Sequence, residues 1–316
     1  VLAATLTDPG YRPEGVERFR KNIDNFFNTL DATPIKALTA AQGGIIHDND
    51  PRFTLQSREE FFALNFDQLK ETIADRLTSG AIEVALVGDL DEAEAISAVA
   101  TTLGALPLRE PDFKPRDEAR VSAFTDKRGQ RTLTHKGEPD QALLHWVWPT
   151  TDDSDQSEAL RLYLLSQIVG LELTDRLREQ LGQAYSPSAG SETSEYYPGF
   201  GTFTITTPVA VDQVEPSRAA IAQLIADLRE GPLDADILER ARKPFFEGYN
   251  NYLKDLGGWL ALSARVQIKP EKIDEYFNAP AIMAAITPED IHQMALKYLA
   301  PEDAIEFNVL PEAKAE

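Results

Sequence analysis

The fold follows from one stretch near the end of the chain, residues 286–310, which reads ITPEDIHQMALKYLAPEDAIEFNVL. Thr287 is a natural helix N-cap, Pro288 suits the first helical position, and Asp290 stands where a capping box places its acid. Residues 305–310 alternate as a strand does. The stretch therefore predicts a capped helix that runs directly into a strand.

The same pattern occurs earlier in the chain, at residues 64–87, which read LNFDQLKETIADRLTSGAIEVALV. Asn65 takes the cap, and residues 82–87 form the predicted strand after a one-residue shift. The helices that precede the two stretches also match, with ERFRK at 17–21 and ERARK at 239–243. The spacing from 17 to 239 is also the spacing from 64 to 286, and we call it the repeat offset. A second match lies at the same offset, where five positions face each other: Leu64, Phe66, Asp67, Leu69 and Leu77 face Ile286, Pro288, Glu289, Ile291 and Leu299.

A repeat with this offset is the size of a domain and far longer than a solenoid repeat. We therefore predict an α+β fold of two homologous domains, each a mainly antiparallel sheet with helices packed on one face. Residues 1–106 are the C-terminal part of the first domain, 107–125 a proline-rich charged linker, and 126–316 the second domain. One strand cannot form a sheet, so the first domain is expected to be N-terminally incomplete.

The second domain has a readable order of elements. Strands are predicted at 131–135 and 141–148, paired around the turn between them, followed by a helix at 155–180. A hairpin is predicted between 184 and 206, where residues 202–206 alternate strictly. The remaining predicted helices cover 212–229, 234–253, 258–267 and 271–284, ahead of the capped helix and last strand.

Composition excludes several classes of function. The 316 residues carry 31 Lys and Arg against 52 Asp and Glu, a formal net charge of −21. Such a surface repels phosphate backbones, so no nucleic-acid partner is expected. The chain has no cysteine, which excludes thiol nucleophiles and cysteine-ligated zinc. No apolar run reaches the ~18 residues of a membrane span.

Catalytic motifs are missing as well. The sequence contains four histidines, none of which has a second histidine four residues away on the same helical face. Asp48 and Asp50 lack the other ligands of a calcium loop and predict a turn. No phosphate-binding loop or nucleophile elbow is present. The four histidines are His47, His135, His145 and His292. We therefore expect neither a complete active site nor a bound metal or cofactor in this chain.

One stretch does suggest chemistry, residues 177–186, which read LREQLGQAYS. Arg178 lies in the last turn of a predicted helix, and Tyr185 begins a strand seven residues later. This layout could aim a guanidinium and a phenol at one substrate carbonyl. A structural explanation is also open, because arginine suits the negative end of a helix dipole and tyrosine is common at the start of strands.

This motif resembles the C-terminal half of the pitrilysin/insulinase-type zinc metallopeptidases, a family that includes the mitochondrial processing peptidases and bacterial relatives. Val87-Gly88-Asp89 at a strand end and GALPL at 104–108 fit the same family. Its members are built from duplicated α+β domains. The resemblance covers nearly the whole chain.

The resemblance implies different roles for the N-terminal and C-terminal halves. The N-terminal half of such enzymes carries a His-x-x-Glu-His zinc site, and the C-terminal half closes over it. The resemblance assigns Arg178 and Tyr185 to holding the substrate and stabilising the charge on the scissile carbonyl oxygen. His-x-x-Glu-His occurs nowhere in this chain.

Zinc is therefore expected in a complementary half. The expected partners are that zinc-bearing N-terminal half or subunit and a peptide substrate, with basic peptides favoured by the acidic surface. By itself the chain is expected to be inactive. The alternative is a non-catalytic scaffold or assembly subunit. The sequence does not define the cellular compartment. The resemblance favours the periplasm over the cytoplasm, because related bacterial proteins are often exported.

Overall fold

The computed structural model describes residues 1–181 and 187–313. These ranges contain a five-stranded sheet and a set of α-helices that divide between two compact units. The strands are β1 (Gly129–His135), β2 (Gln141–Thr150), β3 (Ser188–Thr193), β4 (Gly201–Ala210) and β5 (Ile305–Pro311). The helices are α1 (Leu2–Thr7), α2 (Pro13–Phe27), α3 (Pro34–Ile46), α4 (Arg58–Ala63), α5 (Phe66–Ser79), α6 (Glu92–Thr102), α7 (Gln156–Leu181), α8 (Val214–Glu230), α9 (Ala235–Tyr252), α10 (Leu256–Ser263), α11 (Glu271–Ala285) and α12 (Pro288–Tyr298).

We call the two units the sheet unit and the helical unit. The sheet unit contains residues Phe27–Gln56, Asp117–Phe246 and Ala279–Glu316. The helical unit contains Val1–Phe26, Ser57–Arg116 and Glu247–Asn278. The α+β class is confirmed. The predicted boundaries at 106 and 126 stay a prediction.

The sheet has the strand order β1-β5-β2-β4-β3. β5 pairs with β1 in parallel, whereas the pairs β2–β5, β2–β4 and β3–β4 are antiparallel. The sheet is thus mainly antiparallel. The predicted hairpin is present as β3 and β4, in which Ala189 lies opposite Ile205.

The predicted pairing of the strands at 131–135 and 141–148 is wrong, because β5 lies between β1 and β2. Burial explains the order. Ile305, Phe307 and Val309 of β5 are fully buried, whereas most residues of β1 are partly or fully exposed. The strongly apolar β5 therefore takes the central place, and β1 becomes an edge.

Each face of the sheet is covered by helices. The larger core lies between the sheet and helices α7, α8 and α12, with Trp148 and Phe203 at its centre. The second core lies under α3, where Leu38 packs with Val147 and Phe307. The sequence predicted helices on one face, and α3 adds cover on the other.

The capped helices form as the sequence predicts. The Thr287 hydroxyl accepts a hydrogen bond from Asp290 N, and Thr287 N donates to the Asp290 carboxylate at 2.8 Å. Asn65 and Gln68 make the same reciprocal pair at the start of α5. Three pairs of helices begin at positions separated by the repeat offset, namely α2 with α9, α3 with α10, and α5 with α12. The repeat therefore extends from sequence to structure.

The predicted strand at residues 82–87 is not formed. The segment has no regular secondary structure, and the described part of the chain supplies no neighbouring strand to it. Its counterpart β5 is hydrogen-bonded on both edges. A strand needs a partner for its backbone N–H and C=O groups, so the same sequence pattern gives a strand in one unit and an irregular segment in the other.

Part of the predicted linker is fixed within the helical unit. The Arg109 guanidinium donates four hydrogen bonds, of 2.6 to 3.2 Å, to carbonyl oxygens within residues 76–80. These carbonyls lie at the end of α5, where a helix leaves acceptors without intrahelical partners. Arg109 therefore caps the helix from a distant part of the chain.

We predict that Arg109→Ala lowers the free energy of unfolding of the helical unit by about 1–3 kcal/mol, because it removes charged hydrogen bonds from a helix end. Urea unfolding followed by circular dichroism measures the change. Lys114→Ala, which breaks the surface pair with Glu110, is the matched control and is expected to cost less than about 1 kcal/mol. Equal losses in the two variants would contradict the capping role.

Candidate functional site

Helix α7 carries the first residue of the predicted Arg/Tyr motif. The Asp155 carboxylate accepts hydrogen bonds from the backbone N–H groups of Ser157 and Glu158, which fixes the start of the helix. The inward face of α7 is fully buried against the sheet; it consists of Leu162, Leu164, Leu165, Ile168, Val169, Leu173 and Leu177. The helix is therefore packed into the core from Leu162 to Leu177.

Arg178 lies in the last turn of α7 and is exposed to solvent. Neighbouring charges on the helix are engaged, since Arg176 pairs with Asp227 at 2.7 Å and Asp175 pairs with Arg240 at 3.4 Å. No carboxylate of the described ranges pairs with Arg178. The guanidinium is thus presented to solvent from a rigid support.

Tyr185 lies outside the described residues. Strand β3 begins at Ser188 on the edge of the sheet, and α7 runs so close beside it that a Cβ added at Gly170 would lie 3.8 Å from Ala189 N. The helix end and the start of this edge strand flank the segment that contains Tyr185. The joint action of Arg178 and Tyr185 stays a prediction.

The described residues do not form a zinc site. No group of three or more histidine, aspartate or glutamate side chains within 1–181 and 187–313 is placed to hold a metal ion. The four histidines are distributed over the sheet unit, each with a hydrogen-bonding partner of its own; the partners are Ser122 for His47, Gln141 and Gly137 for His135, Thr206 for His145, and Leu228 for His292. Zinc in a complementary half stays a prediction.

His145 is a buried core histidine. Its Nδ1 lies 2.8 Å from the Thr206 hydroxyl, and its ring lies 5.9 Å from that of Phe307. Burial disfavours the charged imidazolium and lowers the pKa of His145 from 6.5 to about 4. His145 is therefore neutral at pH 7 and belongs to the packing of the sheet.

The lowered pKa of His145 makes stability depend on pH. Between pH 6.5 and 4 the unfolded chain takes up a proton that the folded chain refuses, so stability falls as pH falls through this window. We predict that His145→Phe removes about 2 kcal/mol of the loss in free energy of unfolding that the parent shows between about pH 7.5 and 5.0. Urea unfolding at the two pH values gives the difference. An unchanged pH dependence in His145→Phe would mean that His145 titrates normally.

A second cluster of polar and aromatic residues could not be found from the sequence. The His47 ring stacks on Phe53 at 3.7 Å and on Phe200 at 4.9 Å, and the Arg52 guanidinium lies over the Tyr197 ring. Arg52 also pairs with Asp50 at 2.6 Å, and its hydrogen bonds hold the pKa of that carboxyl at about 2. Asp50 thus forms the predicted turn, with its carboxylate paired to Arg52. The cluster joins the end of α3 to the turn between β3 and β4.

Comparison with protein families places the chain in a class. The fold is α+β, with an arginine exposed in the last turn of its long helix and no metal site among the described residues. Residues 63–245 match the model of the family described as peptidase M16 inactive domain. The chain belongs to this family.

Solved structures share the fold. The peptidase M16 inactive domain from Pseudomonas fluorescens superposes with a TM-score of 0.76 at 16% identity, over 99% of this chain and 74% of that one. The periplasmic protease PqqL from Escherichia coli gives 0.70 at 12% identity, and the ferredoxin protease FusC, solved with Arabidopsis ferredoxin, gives 0.72 at 14%. These two matches cover 94% and 99% of this chain, but only 33% and 34% of PqqL and FusC.

Two further searches give negative results. A search of curated proteins finds no match. Among the described residues, every helix is too short or too polar to cross a lipid bilayer.

Proposed function

We propose that this chain is the substrate-holding half of a zinc metalloendopeptidase, and that a complementary N-terminal half or subunit binds the zinc. Membership of the inactive-domain family supports the class. The exposure of Arg178 at the end of a rigid helix supports the role of its side chain and is the observation that carries the proposal. In this proposal Arg178 and Tyr185 hold the peptide and stabilise the negative charge that develops on the scissile carbonyl oxygen.

The chemistry of the two side chains suits this role. A guanidinium stays charged at every physiological pH and offers five N–H donors in a fixed plane. A tyrosine phenol donates one further hydrogen bond. Donors placed where charge develops in the transition state are worth about 100- to 1000-fold in kcat each. Arg178 has no described carboxylate to neutralise it, so its charge is available to substrate.

Turnover by the assembled enzyme tests the proposal. In a complex of this chain with its zinc-bearing half, Arg178→Ala and Tyr185→Phe are each expected to lower kcat by roughly 100-fold, because each removes a donor to the oxyanion. Thermal unfolding of both variants is expected to stay within about 2 °C of the parent, since Arg178 makes no described ion pair. Peptide cleavage and differential scanning fluorimetry measure the two quantities.

Arg240→Ala is the matched control, because Arg240 is an exposed arginine of the same unit that makes only a surface ion pair. It is expected to leave kcat unchanged. Parental turnover in both Arg178→Ala and Tyr185→Phe would show that neither side chain takes part in catalysis.

A second candidate function is a non-catalytic scaffold or assembly subunit. It is favoured by one neighbour in the structural comparison, a chain of complex III2 from Candida albicans, with a TM-score of 0.71 at 11% identity. In this case Arg178 is a surface charge that favours the end of a helix. A zinc motif encoded in the same or a neighbouring reading frame favours the peptidase, and a partner without such a motif favours the scaffold.

The charge of the chain suggests which peptides are bound. A net charge of −21 attracts basic peptides over a Debye length of about 10 Å at 0.1 M salt. We predict that raising NaCl from about 0.05 to 0.5 M weakens binding of a lysine-rich peptide at least tenfold and of a neutral peptide of equal length less than about twofold. Fluorescence anisotropy measures both. Equal salt dependence would exclude charge-based selection.

We infer a periplasmic location from the resemblance to exported bacterial relatives. One structural neighbour is described as a periplasmic protease, which supports this location by analogy of fold alone. Fractionation of cells that express the natural gene tests it. Recovery in the cytoplasmic fraction would overturn it.

A further inference from the structure

The cluster of polar and aromatic residues at the end of α3 places a titratable ring between two segments of the sheet unit. The His47 imidazole stacks on Phe53 of the loop after α3, with the ring centroids 3.7 Å apart and the ring planes 12° apart. It also stacks on Phe200 of the turn between β3 and β4, at 4.9 Å and 25°. We call these three rings the His47 stack. The imidazole is thus the layer through which the turn, residues 194–200, meets the loop, residues 47–54.

Further ring contacts join the same two segments. The Tyr197 ring meets the Phe53 ring edge to face at 5.4 Å, and the Arg52 guanidinium lies 5.8 Å from the centre of the Tyr197 ring. Arg52 in turn donates hydrogen bonds to the carbonyl oxygens of Ala119 and Val121, at 2.6 and 2.7 Å. Aromatic surfaces therefore attach the turn to the loop, and such contacts are lost when the rings separate.

Protonation of His47 adds a cation where one is already present. The Arg52 guanidinium lies 5.3 Å from the centre of the Phe53 ring, so the ring that stacks on His47 already contacts a positive charge. The Asp50 carboxylate, which favours an imidazolium, is paired with Arg52 at 2.6 Å, and its pKa of about 2 keeps it ionised in mild acid. The two charges of this pair therefore act on His47 in opposite directions.

Burial decides the balance between the two protonation states. Asp50 raises the pKa of His47 and Arg52 lowers it, but the largest effect is the loss of solvent around the partly buried ring, which brings the pKa below its ordinary value of 6.5. Other polar groups on the packed elements are, from the loop, Asp48, which pairs with Lys127; from the segment before β1, Arg120 and Ser122, whose hydroxyl lies 3.0 Å from His47 Nδ1; and from the turn, Glu195, Tyr196 and Tyr197. A hydroxyl can partner either form of the imidazole, so Ser122 does not oppose protonation.

The turn is also held by hydrogen bonds that do not involve His47. Ser194 N donates to Phe200 O at 3.0 Å, and the Ser194 hydroxyl accepts from Tyr197 N at 2.8 Å. Gly199, at a φ of 71° that suits glycine, donates from its N to the Asp152 carboxylate at 2.5 Å. Separation of the His47 stack can therefore free the turn from the loop while β3 and β4 stay paired.

We propose that the His47 stack is a pH-sensitive clasp, which holds the turn between β3 and β4 against the end of α3 when His47 is neutral and releases the turn when His47 is protonated. The packed form disfavours the imidazolium, so the clasp contributes its full stabilisation above about pH 6.5 and loses it as the pH falls below that value. Release loosens one end of the edge strand β3 and exposes the rings of Phe53 and Phe200. The clasp does not depend on any role in proteolysis.

Hydrogen–deuterium exchange at about pH 7.5 and 5.0 tests the clasp, with rates corrected for the intrinsic pH dependence of amide exchange. Exchange of residues 194–200 is expected to rise at least about threefold at the lower pH, because protonation favours the open form. It is also expected to stay at least about tenfold faster than exchange of β5 at both pH values, as a local opening requires. An unchanged rate at 194–200, or a rate equal to that of β5, would overturn the proposal.

Two variants connect the opening to the imidazole. His47→Phe keeps an aromatic ring in the stack and removes its titratable group, so exchange at 194–200 is expected to agree within about twofold at the two pH values. His292→Gln is the matched control, because His292 is also partly buried in the sheet unit, with its Nδ1 3.0 Å from Leu228 O. It is expected to keep the full parental rise. A parental rise in His47→Phe would show that another group opens the turn and would contradict the clasp.

Nuclear magnetic resonance gives a second measurement on the chain without substitutions. The Hε1 resonance of His47 is expected to titrate with a midpoint below pH 6.5, because burial opposes the imidazolium. The ring signals of Phe200 are expected to change with the same midpoint, because the two rings separate on protonation. A midpoint at or above pH 6.5, or Phe200 signals that do not follow the titration, would show that the stack does not respond to the charge of His47 and would exclude the clasp.

Discussion

The central strand β5 is the element on which the sheet unit depends. Both edges are hydrogen-bonded, to β1 and β2, and the side chains of Ile305, Phe307 and Val309 are fully buried under α3. On the opposite face the Arg218 guanidinium donates to the Glu306 carboxylate and to the Asn308 side-chain oxygen, each at 2.9 Å. The polar side chains of the strand on this face thus have a partner, which is the condition for burying them at all.

The same core also supports the helix that carries Arg178. The long helix α7 is packed into the core along its buried face as far as Leu177, and Arg178 next to it is exposed to solvent. Arg178 lies in the last turn of the helix, and the edge strand β3 begins a few residues later. Rigid support with an exposed cation at its tip is what a donor to a transition state requires, because orientation is fixed before substrate binds. In the proposed function the fold supplies this positioning, and the zinc that breaks the bond is held by the complementary half.

Local signals allowed much of this structure to be predicted from the sequence. The caps at Thr287 and Asn65 and the alternation of residues 202–206 depend on neighbours within a few positions, and all three are observed. The errors concern partners distant in sequence. β5 separates β1 from β2 although the two are joined by a short turn, and neither periodicity nor turn residues encode that insertion. The stacking of His47 on Phe200 could not be predicted from the sequence either, since the two residues lie far apart in the chain.

The repeat isolates the effect of context on one sequence pattern. Residues 82–87 and β5 share alternation, β-branched residues and a capped helix before them, yet only β5 is a strand. Propensity is nearly equal in the two copies, so the difference comes from hydrogen-bonding partners and from surface to bury. Helices show the same dependence on context. Leu260 and Leu38 are both helical, but only Leu38, which lies above a sheet, is buried. Secondary structure in this chain is therefore encoded locally for helices and completed by tertiary neighbours for strands.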